Sequence, residues 1–251
     1  MASDVNVFFR RAVGSACTDR SAFCAVAISV ACLFAPTAVH AQGFQAPAGC
    51  TAYLTVQMKG CLVSNHWRCD AEPEGNSWAG LYTDNGPAVF SQFNNEFQWL
   101  ATFPALGGPS ERLAEGSADP LSLTELLDNG LDSFDFEMED PEGRTRVRGF
   151  DSLTGEEVEI DGERLLITDF QMIQTRDTDV VAESTGQQYV HPRWRLFFLG
   201  QETDTRDGVT VASDNSPVTF HEPGEPGFGA TQPIYGCGAQ DISFFPLEPD
   251  Q

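Results

Sequence analysis

The sequence predicts a mainly β protein: an antiparallel meander forming a barrel, half-barrel or sandwich, with one short helix at about residues 119–128. Three observations predict it. Between Ser133 and Arg176, strand-like runs joined by reverse turns share one register that is apolar on one face and charged on the other. Further short alternating runs recur along the chain with turn residues between them. A single segment carries both a helix start and a helix stop.

The first segment stands apart from this fold. Arg10, Arg11 and Arg20 precede an apolar run from Ala22 to Ala35 and then Val39-His40-Ala41, the pattern of a signal peptide cleaved after Ala41. The run is shorter than the roughly 20 apolar residues that span a bilayer. No second long apolar run follows, so residues 42–251 are expected to be one soluble domain without a transmembrane segment, exported by the general secretory route. A lipoprotein reading, with Ala48-Gly49-Cys50 as the lipobox, is the runner-up, and Pro47 sits poorly three residues before the cysteine.

Cys17, Cys24 and Cys32 fall in the discarded segment, leaving Cys50, Cys61, Cys69 and Cys237. An even four in an exported chain implies two disulfides among three possible connectivities. The pairing expected is Cys61 with Cys69, closing a small loop, and Cys50 with Cys237, tying the ends together. The net charge is −23, and loss of the leader's three arginines and two aspartates makes it one unit more negative. Lys59 is the only lysine. Such an acidic surface repels nucleic acid and anionic membranes.

Residues 51–58 alternate Ala52, Leu54, Val56 and Met58 with Thr51, Tyr53, Thr55 and Gln57, a strand with one buried face. After Gly60-Cys61 the strand character resumes as far as Cys69. Trp78–Thr83 and Ala88–Phe93 flank Asp84-Asn85-Gly86, a strong hairpin signal, with Pro87 at a strand start. Residues 94–103 fit either a short helix or a strand, and Gly107-Gly108-Pro109 breaks the chain. Asp119-Pro120 opens the helix as N-cap and first residue, with Leu121, Leu123, Leu126 and Leu127 inside and Asn129-Gly130 as the stop. This helix is expected to cover one end of the sheet.

The central stretch follows. Asp140-Pro141-Glu142-Gly143 has proline and glycine where a type I or II turn wants them. Setting Glu139 opposite Arg144 brings Glu137 to Arg146 and Asp135 to Arg148 on one face, and Met138 to Thr145, Phe136 to Val147 and Phe134 to Gly149 on the other. Thr154-Gly155 is read as a second turn, and Asp161-Gly162 as a third, of type I′, setting Glu159 opposite Arg164 and Val158 opposite Leu165. Residues 177–186 read as a polar hairpin loop and Tyr189–Leu199 as one strand with Pro192 at an edge or bulge. Val209–Ala212 and Val218–His221 read as a last hairpin, 222–240 as an irregular Pro/Gly-rich segment, and Ile242, Phe244 and Phe245 as a short final strand.

No catalytic motif stands out. His66, His191 and His221 are too far apart in sequence to form a helix- or strand-spaced metal pair, and no nucleophile elbow or phosphate-binding glycine loop occurs. No cofactor or metal is therefore expected, and the acids are too many for any pair to single itself out. Trp67, Trp78, Trp99 and Trp194 could stack on a ligand, and His191-Pro192 could mark an unpaired edge. The ligand-contact residues offered are Trp67, Trp78, Trp194 and His191.

The Cys61–Cys69 segment with His66-Trp67-Arg68, the Leu153-Thr154-Gly155-Glu156 and Ile160-Asp161-Gly162 turns, and Gly224-Glu225-Pro226-Gly227-Phe228 resemble a group of uncharacterised secreted proteins of alphaproteobacteria. The resemblance implies export from a Gram-negative cell to the periplasm or beyond, and implies no site. A curved meander with an apolar inner face can enclose a ligand. The expected function is thus non-catalytic binding of a small hydrophobic ligand or envelope component. An envelope-polymer hydrolase with a carboxylate pair and a protein–protein adaptor are the alternatives.

Overall fold

The computed structural model describes residues 43–238, so the signal peptide and the final strand at Ile242–Phe245 lie outside the described residues. The first half of the chain forms β1 (Cys50–Met58), β2 (Leu62–Cys69), β3 (Ser77–Thr83), β4 (Gly86–Phe93), β5 (Trp99–Pro104) and β6 (Glu111–Leu113), followed by helix α1 (Leu123–Asn129). The second half adds β7 (Leu131–Asp140), β8 (Gly143–Ile160), β9 (Glu163–Arg176), β10 (Asp179–His191), β11 (Leu196–Phe198), β12 (Gln201–Arg206), β13 (Val209–Asp214) and β14 (Pro217–His221). All fourteen strands belong to one antiparallel sheet of order β13-β12-β10-β9-β8-β7-β6-β5-β4-β3-β2-β1-β14, with β11 also on β10. The ladder does not close on itself.

The register of the central hairpin is the one the alternation demands, from Phe134 opposite Gly149 to Glu139 opposite Arg144. Of its expected charged pairs, Glu139–Arg144 forms at 3.6 Å and the other two are displaced along the strand. Arg146 binds Asp135 rather than Glu137, and Arg144 binds Glu137 at 2.9 Å. Strand twist brings these diagonal neighbours together. Phe134 lies so close over Gly149 that a β-carbon there would sit 2.7 Å from its ring and 2.0 Å from the Gln171 carbonyl oxygen.

Several boundaries differ from the expectation, each for a local reason. Thr154-Gly155 is not a turn but a bulge within the eighteen-residue β8, because the Thr154 hydroxyl bonds the Ile167 carbonyl across the strand pair and lets pairing resume at Glu157. The true β8–β9 turn is Asp161-Gly162, with positive φ at both residues (52° and 81°). Residues 179–186 are strand rather than loop, pairing with β9 and β12. Tyr189–Leu199 is split by a turn at Pro192–Arg195, with Arg195 N–H donating to the His191 carbonyl. Residues 94–98 form a tight loop and β5 is a strand. The helix starts later than expected: the Asp119 backbone is engaged by Asp135, and Ser122 is the N-cap, accepting from Glu125 N–H, while Gly130 closes the C-terminus at φ 79°.

β13 and β14 do not form a hairpin. β13 pairs with β12 at one edge of the sheet, β14 pairs with β1 at the other, and only Asn215-Ser216 joins them. This crossing is held from both sides. Asn215 N–H donates to Gly200 O, Lys59 N–H donates to Ser216 O, and Lys59 Nζ meets Asp214 at 2.9 Å. The two edges of the open ladder are therefore brought together by the chain itself.

Beyond β14 the irregular segment lies across the outer side of β1 and β2. Gly229 N–H donates to Thr55 Oγ1, Asn65 Nδ2 donates to Ala230 O, and Gln57 exchanges hydrogen bonds with Gln232 and Ile234. Thr55, Gln57 and Asn65 are consequently buried, so β1 is covered on both faces rather than one.

The disulfides also correct the expectation: Cys50 pairs with Cys69, and Cys61 with Cys237. Cys50 and Cys69 stand directly opposite in the β1–β2 ladder. Cys61 lies at the other end of β2, roughly 25 Å from Cys69 at strand rise, where the returning segment delivers Cys237. Peptide mapping without reduction should recover these two linked pairs. On chain entropy, the second bridge, spanning 176 residues, should contribute about 2 kcal/mol more than the first, spanning 19. Urea unfolding of the two double Cys→Ala variants checks this, with Cys61/Cys237 the more damaging loss.

Candidate functional site

The apolar side chains do not merge into one filled core. One cluster joins Leu54, Val56 and Met58 of β1 to Leu165 of β9, Phe198 of β11 and Phe220 of β14. A second gathers Leu121, Phe134, Phe136, Met138 and Val147, with Trp99 and Met172 against it. The third packs Leu123 and Leu126 of α1 on Val190, Leu166 and Phe197. Between them lies a cavity of about 290 Å³. Met58, Phe134, Phe198 and Leu121 belong both to these clusters and to its wall, which β3 and β4 complete with Ala79, Leu81 and Val89.

Five polar side chains interrupt this apolar wall: Ser64 and His66 on β2, Ser91 on β4, Asp151 on β8 and Gln188 on β10. His66 and Asp151 are each only 5% exposed. His66 Nε2 lies 3.0 Å from Ser64 Oγ, and its Nδ1 has no partner among the described residues. Burial, with some help from the Arg68 guanidinium, pushes the His66 pKa down to about 3, so the ring is neutral in any ordinary environment.

Asp151 stands opposite Asp132 in the β7–β8 ladder, two residues beyond the Phe134–Gly149 pair and on the same inward face. Burial, reinforced by the Asp132 charge, pushes Asp151 up to about 7. Asp132 is raised to about 6, again by burial first, with Glu125, Asp119 and Glu96 adding to it against the Ser122 N–H that it accepts at 3.0 Å. Only Asp151 reaches the cavity. Its carboxyl has no hydrogen-bond partner among the described residues.

Beside the cavity, α1 and two loops are tied together. Glu96, in the β4–β5 loop, accepts from Thr124 N–H at 2.8 Å and from Thr124 Oγ1 at 2.7 Å, and Arg195 pairs with it at 3.0 Å. Both Phe97 and Arg195 adopt left-handed backbone, at φ 60° and 54°. Phe97 stacks on Phe93 at 4.5 Å and touches Phe197 at 4.9 Å, all three on the cavity wall.

The residues offered from sequence lie elsewhere. Trp67 and Trp78 stack at 6.0 Å on the outer side of the sheet, continued by Phe103 at 5.8 Å from Trp78, along a groove of about 750 Å³ edged by Phe44. Trp194 packs among Phe198 and Phe220, stacked on His191 at 3.9 Å. His191 accepts from Trp194 N–H at Nδ1 and donates from Nε2 to Glu163 at 2.8 Å, which leaves it no free nitrogen. Trp99 alone of the four tryptophans lines the cavity. His66 and Asp151 were not singled out. The Asp151 signal was the register itself, extended by one more inward pair; β2 carries no comparable signal for His66, because its alternation puts polar Ser64, His66 and Arg68 on one face and Asn65 on the other. Among the described residues no group of three His, Cys, Asp or Glu could hold a metal, and no helix is long and apolar enough to cross a membrane.

The two raised acids make stability depend on pH in a definite direction. A native carboxyl with pKa near 7 holds a proton that the unfolded chain, titrating near 4, has released. Between those values the native state therefore binds more protons, and stability falls as pH rises, levelling above 7. The cost for Asp151 is on the order of 4 kcal/mol. Asp151→Asn should accordingly raise stability by 2–4 kcal/mol, on the order of that cost, at pH 8 and change it little at pH 4.5. Urea unfolding at the two pH values checks this, and an equal offset at both would contradict it.

Comparison of the chain with protein-family models, curated proteins and solved structures finds no match, so any functional reading rests on the geometry of this cavity.

Proposed function

We propose that the protein is a non-catalytic carrier that holds a small hydrophobic ligand inside its curled sheet, acting in the periplasm or outside a Gram-negative cell. The cavity carries this reading. An engineered void of about 150 Å³ already takes up benzene, and this one, at about 290 Å³ and walled mainly by Phe, Leu, Val and Met, suits a ligand nearer naphthalene in size. In this reading the sheet works as a barrel-like container: its ladder is open, and the β13–β14 crossing substitutes for the missing strand pairing. The charged outer face of β7 and β8 suits water and not lipid. Disulfides accord with an oxidising compartment.

A hydrolase built on Asp132 and Asp151 is the weaker alternative. Two carboxyls with raised pKa resemble an acid–base pair, but Asp132 is turned to the Ser122 N–H and does not line the cavity. A second reading has its own observation: the Trp67–Trp78–Phe103 stack offers an outward aromatic groove to an envelope component.

Native mass spectrometry of protein purified from its own cells without denaturant tests the carrier reading. A bound mass that organic extraction removes is expected, and it should be lost in Ala79→Leu, which fills the cavity from β3. A bare mass before extraction, or a bound mass unaffected by Ala79→Leu, would count against it.

A further inference from the structure

Resting on the carrier reading, we propose that the cavity selects a small hydrophobic amine, bound as its cation against Asp151, over organic acids of the same size. Three observations converge on this. The first is the wall's charge inventory. Among the described residues, Asp151 and His66 are the only ionisable groups on it, and no lysine or arginine lines it. The second is the state of these groups. The Asp151 carboxyl is buried and without a hydrogen-bond partner among the described residues, while His66 is held neutral and cannot serve as its counter-ion. Asp132, directly across the ladder, adds negative potential at the same place. The third is the aromatic lining. Phe93, Trp99, Phe134, Phe170 and Phe198 present rings to the same space, and ring faces attract a cation.

An ammonium group entering this space would supply donors to the unpartnered carboxyl and replace a burial penalty with a charge-assisted hydrogen bond. A carboxylate ligand would meet Asp151 with no basic group to offset the repulsion. An alcohol falls between, able to bond Asp151 or His66 Nδ1 without a charge. The chain's net charge of −23 favours the approach of cations as well.

The test uses three probes of one shape: 3-phenylpropylamine, 3-phenylpropan-1-ol and 3-phenylpropanoate. Each is titrated calorimetrically at pH 8 into the mature protein after organic extraction and refolding to its original circular dichroism spectrum. A charge-assisted bond is worth roughly 10- to 100-fold in affinity. The amine is expected to bind that much more tightly than the alcohol, and the acid more weakly than both. In Asp151→Asn the amine should lose its roughly 10- to 100-fold advantage over the alcohol. An acid or alcohol that equals the amine would overturn the proposal, and the wild-type ranking decides this even if the variant fails to fold. An amine preference that survives in a folded Asp151→Asn would overturn it too. If none of the three binds, the cavity is not a ligand site, and the carrier reading falls along with this one.

Discussion

Everything in this structure follows from one constraint: a sheet of fourteen strands has a large apolar face and, among the described residues, only a seven-residue helix to cover it. The face must therefore be buried against itself. Leu54, Val56 and Met58 on β1 meet Leu165 on β9 and Phe198 on β11, although seven strands separate β1 from β9 in the pairing order. Strand twist gives the sense of the curl, and the chain secures it at the seam. There Asn215-Ser216 carries the backbone from one sheet edge to the other, with Lys59 and Asp214 paired across it. Lys59 and Ser216 hold the Asp214 carboxyl at about 2 against the opposing effect of burial. The Cys61–Cys237 bridge then fixes the segment that covers β1 and β2 from outside.

Curling so many strands leaves more interior than their side chains fill. The apolar residues condense into three clusters where strands approach one another, and the space between them is the cavity. Into it point a neutral histidine and a carboxyl that burial keeps hard to ionise. Such groups cost stability unless a partner satisfies them. The outer ion pairs do not offset that cost, because exposed pairs such as Arg144–Glu137 are worth at most about 1 kcal/mol. In the proposed carrier, a ligand that satisfies Asp151 and His66 while filling the void would remove both penalties together, which would connect stability with function.

How much of this was legible in the sequence depended on whether the signal was local. The β7–β8 and β8–β9 registers were readable because turn chemistry and alternation agreed there: Phe136 opposite Val147, Val158 opposite Leu165. The same alternation carried one step further sets Asp132 against Asp151, so half of the site's polar chemistry lay within reach. The rest depended on contacts made over long separations. Thr55, Gln57 and Asn65 look solvated until a segment about 170 residues later is laid over them. That covering also encloses Asn65 on the outer side of β2, leaving His66 on the side that lines the cavity. The β13–β14 crossing and the disulfide pairing were hidden for the same reason, since both are set by where the curled sheet brings its edges.

The measurement that bears most directly on an unfilled apolar interior is diffraction from a crystal pressurised with xenon, which enters dry apolar voids and leaves well-packed cores empty. A xenon peak enclosed by Phe134, Phe170 and Phe198, with the surrounding side chains unmoved, is the result expected. An absent peak, with Phe97 and Phe197 collapsed into that space, would show a filled core and contradict the carrier reading at its foundation.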